Sequence, residues 1–91
     1  MWVVRIHKNV ARALHKYPRS VKDRFDALVK DIVEMGPVRG NWPNYSKLGD
    51  RRHHCHLKKG KPAYVAVWVE SDMGIQLVEV RYVGTHENAP Y

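Results

Sequence analysis

The sequence has one cysteine, few acidic residues and no long apolar run. With Cys55 alone, no disulfide can form within the chain, which is typical of proteins in the reducing cytoplasm. No segment approaches the roughly 20 consecutive apolar residues of a membrane-spanning helix, and residues 1–7 are too short and too charged to be a signal peptide. These absences favour a cytoplasmic protein without a membrane partner, and 91 residues are enough for one domain, 1–91.

Positive charge is in excess and is concentrated in the middle of the chain. There are 16 Lys and Arg against 9 Asp and Glu, a formal net charge of +7. Six of the basic residues and only one acid lie between Lys47 and Lys61. Such a local excess is typical of a site for a polyanion such as RNA. The alternative is an exposed hairpin on which lysines prevent pairing with other chains.

The spacing of the apolar residues predicts helices in the first half and strands in the second. Val21, Phe25 and Leu28 recur at four- and three-residue intervals, the period of a helix with one buried face. Ser20 and Asp23 resemble a capping pair at the start of this helix. The predicted strands are 2–7, 51–58, 63–69 and 75–83, and the predicted helices are 9–17 and 18–35. A loop is expected at 36–46, with turns at 59–61 and 71–74.

This order, β-α-α-β-β-β, predicts an α+β fold. Two N-terminal helices should pack on one face of a mainly antiparallel sheet, because amphipathic helices need a common apolar surface to cover. The run 63–69 is almost entirely apolar, which indicates a central strand. The opposite face of the sheet is then free to carry a site.

The second predicted strand is rich in histidine. Side chains alternate between the two faces of a strand, and the apolar Cys55 and Leu57 should face the helices. His54 and His56 should then project from the open face. His86, just after the last strand, returns close to them if the second and last strands flank the third.

Histidine is suited to acid–base chemistry at neutral pH because its ordinary pKa is about 6.5. Cleavage of RNA needs a base for the 2′-hydroxyl, an acid for the departing 5′-oxygen and cations around the phosphate. His54, His56 and His86, set among Lys and Arg, supply these groups without a metal or another cofactor. A zinc site is the alternative, but the single cysteine and the lack of a Cys-x-x-Cys pair count against a structural one.

The other aromatic candidates have structural interpretations. His7, His15 and His53 are expected to be partly buried aromatic residues with no chemical role. Trp42 and Tyr45 lie in the polar loop, where they could stack on RNA bases or pack against the hairpin. Both alternatives stay open for these two residues.

The order of elements and several short segments resemble the RelE/ParE superfamily of bacterial toxins over essentially the whole chain. Tyr82-Val83-Gly84-Thr85-His86-Glu87 looks like the closing strand of that family with its Gly-x-His segment. His54-Cys55-His56-Leu57 looks like the strand in which these toxins alternate two catalytic basic residues. The loop Trp42-Pro43-Asn44-Tyr45-Ser46-Lys47-Leu48-Gly49 resembles the segment that precedes that strand.

The resemblance implies the toxin of a type II toxin–antitoxin system, of the RelE-like mRNA interferase branch. Such a protein is a metal-independent endoribonuclease that cuts mRNA in the ribosomal A site and is neutralised by a cognate antitoxin protein. Carried over to this sequence, the catalytic candidates are His54, His56, His86 and Tyr91. The charge pattern, the loop and the resemblance together give the expected RNA contacts: Tyr45, Lys47, Arg51, Arg52, Lys58, Lys59 and Arg81.

Two other functions are compatible with the same sequence. ParE-like members share the fold but poison DNA gyrase, and a fold does not fix a function. A non-catalytic RNA- or ribosome-binding module would use the basic hairpin for affinity through counterion release. Gyrase poisoning needs no general acid, and histidines stand where some members have Lys or Arg, so the sequence favours acid–base cleavage of RNA.

Overall fold

The computed structural model describes residues 1–73 and 75–91. These residues form two α-helices and five β-strands, which confirms an α+β fold. The strands are β1 Val3–Ile6, β2 Ser46–Lys47, β3 Arg52–Lys58, β4 Tyr64–Glu70 and β5 Leu77–Thr85; the helices are α1 Lys8–Leu14 and α2 Arg19–Met35, and a 3-10 turn follows at His86–Asn88. In the described ranges, neither helix is long and apolar enough to cross a bilayer.

The five strands form one mixed sheet in the order β1-β5-β4-β3-β2. β1 runs parallel to β5, and the other neighbours are antiparallel. β4 lies in the centre, as its apolar sequence predicts. Lys58 pairs with Tyr64, and Tyr64 pairs with Thr85. The ends of β3 and β5 therefore lie at the same end of the sheet, which brings the chain after β5 close to the histidines of β3.

Helix α2 supplies the apolar face that covers the sheet. Its buried residues are Val21, Phe25, Leu28 and Ile32. The expected capping pair of Ser20 and Asp23 is wrong, because the N-cap is Pro18 and no side chain caps the helix. Proline suits a helix start, since its φ is already helical and it has no N–H to satisfy. Gly36, with φ of 94°, ends the helix in a conformation that glycine adopts without steric cost.

The core lies between the helices and one face of the sheet. The sheet residues that share a buried cluster with α2 are Cys55, Leu57, Ala66, Trp68, Val78, Val80 and Val83. Fully burying a valine or leucine side chain of this cluster stabilises a fold by about 1.5–3 kcal/mol. Val65 and Val67 are also buried, but they alternate with Ala66 and Trp68 and so point to the opposite face. The face of the sheet opposite the helices is therefore also shielded from solvent along β4.

Several predicted element bounds are wrong. The last residue of the loop expected at 36–46 instead begins the short strand Ser46–Lys47, which forms by pairing with β3. α1 ends at Leu14, before the predicted end at residue 17, and β5 begins at Leu77 and continues through Thr85. Gly84 and Thr85, which follow the strand predicted at 75–83, therefore belong to the sheet. The turn predicted at 71–74 includes residue 74, which lies outside the described residues.

Candidate active site

β3 presents His54 and His56 on the face of the sheet opposite the helices. Their neighbours Cys55 and Leu57 belong to the helix-side core, so alternation places the two histidines on the other face, as the sequence predicts. His54 is only 9% exposed, and His56 is half-buried. Both imidazoles are thus held by packing, which orients a catalytic group better than free exposure does.

The side chains of His54, His56, His86 and Tyr91 form a closed ring, which we call the histidine ring. The centroids of the imidazoles of His54 and His56 are 6.1 Å apart, and those of His56 and His86 are 5.4 Å apart. Tyr91 closes the arrangement at 6.2 Å from His86 and 4.7 Å from His54. The four catalytic candidates named from the sequence are therefore brought together, although 30 residues separate His56 from His86 in the chain.

The histidine ring stands on an apolar floor made by β4 and β5. In the register of the sheet, Val65 lies between His56 and Gly84, and Val67 lies between His54 and Tyr82. Side chains of directly paired residues point to the same face, and both valines are almost completely buried. A floor of this kind excludes water, and charge–charge interactions are stronger where water is excluded.

The turn after β5 sets the position of His86. The Tyr82 hydroxyl donates a hydrogen bond of 2.7 Å to the Thr85 carbonyl, and the His86 N–H donates one of 2.9 Å to the Ala63 carbonyl. A Cβ at Gly84 would lie 2.5 Å from the Tyr82 hydroxyl oxygen. Glycine at this position therefore permits the close packing that fixes the backbone just before His86.

His54 is oriented by the short strand β2. Its Nδ1 lies 3.0 Å from the hydroxyl oxygen of Ser46 and 3.3 Å from the Ser46 carbonyl oxygen. A carbonyl oxygen only accepts, so this contact favours the tautomer in which Nδ1 carries the proton. That tautomer leaves Nε2 of His54 as an acceptor.

The surroundings of the histidine ring shift the pKa values of His56 and Tyr91. Burial lowers the pKa of His56, and His86, His54 and Lys59 lower it further. A lowered pKa keeps the imidazole neutral at physiological pH, which is the form that accepts a proton. Burial, with smaller effects of Tyr82 and Cys55, raises the pKa of Tyr91. The Tyr91 hydroxyl therefore stays protonated and can donate a hydrogen bond.

Three of the predicted RNA contacts lie close to the histidine ring. Lys58 and Lys59 line a cleft together with His56 at the edge of β3. Arg52 precedes His54 by two residues in β3 and so lies on the same face. These cations can offset the negative charge of a phosphate bound at the ring.

Three other predicted RNA contacts lie elsewhere. Lys47 pairs with His53 across β2 and β3, so its side chain points towards the helix side of the sheet. Arg51 and Arg81 line a separate cleft, and each forms an ion pair with a carboxylate, at 4.0 and 2.9 Å respectively. The structure therefore does not bring these three residues to the ring.

The loop aromatics pack against the protein. The Tyr45 hydroxyl lies 2.7 Å from Nδ1 of His53, and Trp42 Nε1 donates a bond of 2.8 Å to Asp31. His53 is fully buried, and its Nε2 lies 2.7 Å from a carboxylate oxygen of Glu70. Of the two alternatives for Trp42 and Tyr45, the structure thus shows packing, and His53 is more deeply buried than the partly buried position expected from the sequence.

Sequence reasoning missed Ser46 and Arg24. Ser46 orients His54 only because β2 pairs with β3, and two residues without apolar alternation give no strand signal. Arg24 looks like a solvent-facing residue of α2, but its Nε donates to the Leu57 carbonyl at 3.4 Å and its guanidinium lies 4.6 Å from the centre of the Trp42 ring. Neither contact leaves a pattern in the sequence.

Metal and thiol chemistry find little support in the arrangement. Across residues 1–73 and 75–91, no three His, Cys, Asp or Glu side chains lie where they could hold one metal ion. Burial raises the pKa of Cys55 to about 12, so the thiol stays protonated and is a poor nucleophile.

No family model, curated protein or solved structure matches this chain.

Proposed function

We propose that this chain is an endoribonuclease that cuts mRNA by acid–base chemistry without a metal. The observation that supports the proposal most strongly is the histidine ring, in which three imidazoles and a phenol meet on an open, basic face of the sheet. Cleavage next to a 2′-hydroxyl requires one group that accepts a proton and one that donates a proton at neutral pH.

The proposed reaction uses His56 as the base and His86 as the acid. Neutral His56 takes the proton of the 2′-hydroxyl, and the 2′-oxygen attacks the neighbouring phosphorus. The bond from phosphorus to the 5′-oxygen breaks, and the 5′-oxygen takes a proton from His86. The products are a 2′,3′-cyclic phosphate and a 5′-hydroxyl. The lowered pKa of His56 suits it to the role of base.

In this scheme Tyr91 binds the phosphate and His54 positions Tyr91. The protonated Tyr91 hydroxyl donates to a phosphoryl oxygen, and Lys58 and Lys59 offset the charge that develops on it. His54 is oriented by Ser46 and lies against the Tyr91 ring, with centroids 4.7 Å apart. It therefore holds Tyr91 in place, and its Nε2 accepts a hydrogen bond from a hydroxyl or N–H group of the RNA.

In the cell, we propose that the protein is the toxin of a type II toxin–antitoxin system and acts in the cytoplasm on mRNA in the ribosomal A site. A cognate antitoxin protein would neutralise it, because an acidic, partly disordered segment can cover the basic face beside the ring. These assignments follow the resemblance to RelE-like toxins, and the histidine ring favours them over the gyrase-directed branch.

Induced expression tests the proposal. Wild type, His86→Ala and the control His15→Ala are compared by growth and by primer extension on a reporter mRNA. His15 is an exposed histidine at the end of α1, so its loss should change nothing. We expect growth arrest with discrete cuts from wild type and His15→Ala, and neither from His86→Ala. Growth arrest with intact mRNA from all three proteins would contradict the proposal.

A further inference from the structure

A cleft at the edge of β3 continues from the histidine ring towards α2. Its lining residues are Arg24, Pro43, His56, Leu57, Lys58 and Lys59. β2 pairs only with residues 53 and 54 of β3, so beyond that point the edge of β3 is bordered by the loop, and the N–H of His56 donates to the Pro43 carbonyl at 2.8 Å. Because His56 lines both the ring and the cleft, the two sites adjoin.

Arg24 is held in this cleft by two contacts that leave its charge available. Its Nε donates to the Leu57 carbonyl at 3.4 Å, and its guanidinium stacks on Trp42 at 4.6 Å. Trp42 is itself fixed through its bond to Asp31. The remaining guanidinium N–H groups are free to bind an anion, and a guanidinium offers two parallel donors to phosphate.

The cleft differs from the other arginine-rich surface of the molecule in its charge balance. In the described part of the chain, the ion pairs with carboxylates involve Arg19, Arg51, Arg81 and His53. None involves Arg24, Lys58 or Lys59. In the described residues, Arg24, Lys58 and Lys59 are therefore not engaged in direct ion pairs, and they lie next to a histidine of the ring.

We propose that this cleft is a second phosphate subsite, which binds the RNA phosphate adjacent to the one that is cleaved. The inference rests on the proposed function, because it takes the ring as the site of the scissile phosphate. An RNA strand that leaves the histidine ring past His56 passes over Lys58 and Lys59 and reaches Arg24. The turn around the edge of β3 requires a flexible chain, which favours single-stranded RNA over a duplex.

Binding of a 2′-O-methyl hexanucleotide, which cannot be cleaved, tests the subsite. Affinity is measured by fluorescence anisotropy over a range of salt concentrations for wild type, Arg24→Gln and the control Arg19→Gln. Arg19 carries the same charge at the start of α2, where it pairs with Asp23. We expect Arg24→Gln to weaken binding about tenfold and to reduce the salt slope by about 0.7, the value for one phosphate contact on a single strand. Arg19→Gln should bind as wild type does.

Two further measurements separate the subsite from the fold and from the cleavage proposal. Arg24→Lys should keep the salt slope of wild type, and Lys59→Gln should lower it even if Arg24→Gln fails to fold. The subsite would be overturned if wild type, Arg24→Gln and Lys59→Gln had equal affinities and equal salt slopes. It would also be overturned if wild type bound an acidic peptide but not the oligonucleotide. Loss of binding in these variants, with no cleavage of RNA by wild type, would show that the cleft binds an RNA phosphate, and it would refute the proposed function together with the assignment of that phosphate as the neighbour of a cleaved one.

Discussion

The Ser46 hydroxyl oxygen lies 3.0 Å from Nδ1 of His54, and the Ser46 carbonyl oxygen lies 3.3 Å from the same atom. Ser46 and His54 are also direct partners in the pairing of β2 with β3. A strand of only two residues thus orients one member of the histidine ring.

Ser46→Ala should loosen the orientation of His54 and slow cleavage. The hydroxyl contact is lost and only the longer carbonyl contact remains. The loss of one hydrogen bond corresponds to about a threefold to tenfold fall in rate, and Ser46→Thr, which keeps a hydroxyl, should restore the rate. Nitrogen-15 NMR of the histidine side chains should show the proton on Nδ1 of His54 in wild type and in Ser46→Ala alike, because the backbone carbonyl still accepts it. A wild-type rate in Ser46→Ala would show that the hydroxyl does not position His54.

The pH dependence of cleavage should reflect His56. If neutral His56 is the base, the rate falls when the pH drops through its pKa, and burial together with His86, His54 and Lys59 lowers that pKa. Activity should therefore persist below the ordinary histidine value of about 6.5. Lys59→Gln removes one of these causes and should move the acidic limb to higher pH. A limb above 6.5 in wild type, or a limb unmoved in Lys59→Gln, argues against His56 as the base.

The same shift links His56 to stability. Since the folded state favours neutral His56, its contribution to stability is present above the unfolded pKa and is lost as the pH falls through the folded pKa. His56→Gln should therefore flatten the dependence of unfolding free energy on pH in the acidic range. Urea unfolding at a series of pH values measures this, with His15→Gln as the control that keeps the wild-type curve.

The sequence predicts the parts of the site that depend on local periodicity. Alternation in β3 is enough to separate His54 and His56 from Cys55, and the apolar run of β4 is enough to make it the central strand. β2 could not be predicted, because Ser46 and Lys47 become a strand only through pairing with His53 and His54. The stacking of Arg24 on Trp42 depends on how α2 lies against the loop. The spacing of residues in the sequence does not determine how close these two elements come.

The buried network behind the site should be a source of stability. His53 has no exposed surface, and its two ring nitrogens lie 2.7 Å from the Tyr45 hydroxyl and from Glu70. Tyr45→Phe leaves Nδ1 of His53 buried without a partner, which costs about 1–3 kcal/mol. Tyr64→Phe is the matched control, since the bonded tyrosine hydroxyls in the described residues are those of Tyr17, Tyr45 and Tyr82. Equal unfolding free energies for both variants in urea would show that the network is not stabilising.

Gly84→Ala should disturb both the fold and the ring. The added Cβ would meet the Tyr82 hydroxyl oxygen at 2.5 Å and the Tyr17 hydroxyl oxygen at 3.0 Å, and overpacking of this kind costs about 1–3 kcal/mol. Gly49→Ala is the control, because a Cβ there has no atom within 4 Å. Tyr82→Leu removes both the hydroxyl oxygen and the Cζ atom, which would lie 2.5 and 2.8 Å from the new Cβ. Gly84→Ala should therefore cost less unfolding free energy in the Tyr82→Leu background than in wild type. An equal cost in both backgrounds would show that Tyr82 is not the cause.

The catalytic role of His56 and His86 is measured most directly by the rate at which purified protein cuts mRNA in a reconstituted translation reaction, with the new ends identified by mass spectrometry. We compare wild type, His56→Ala, His86→Ala and His15→Ala. We expect fragments with a 2′,3′-cyclic phosphate and a 5′-hydroxyl from wild type and His15→Ala. We also expect a rate lower by about a hundredfold or more for His56→Ala and His86→Ala. Cleavage by His56→Ala and His86→Ala at the wild-type rate, or no cleavage by wild type, would contradict a catalytic role for the histidine ring.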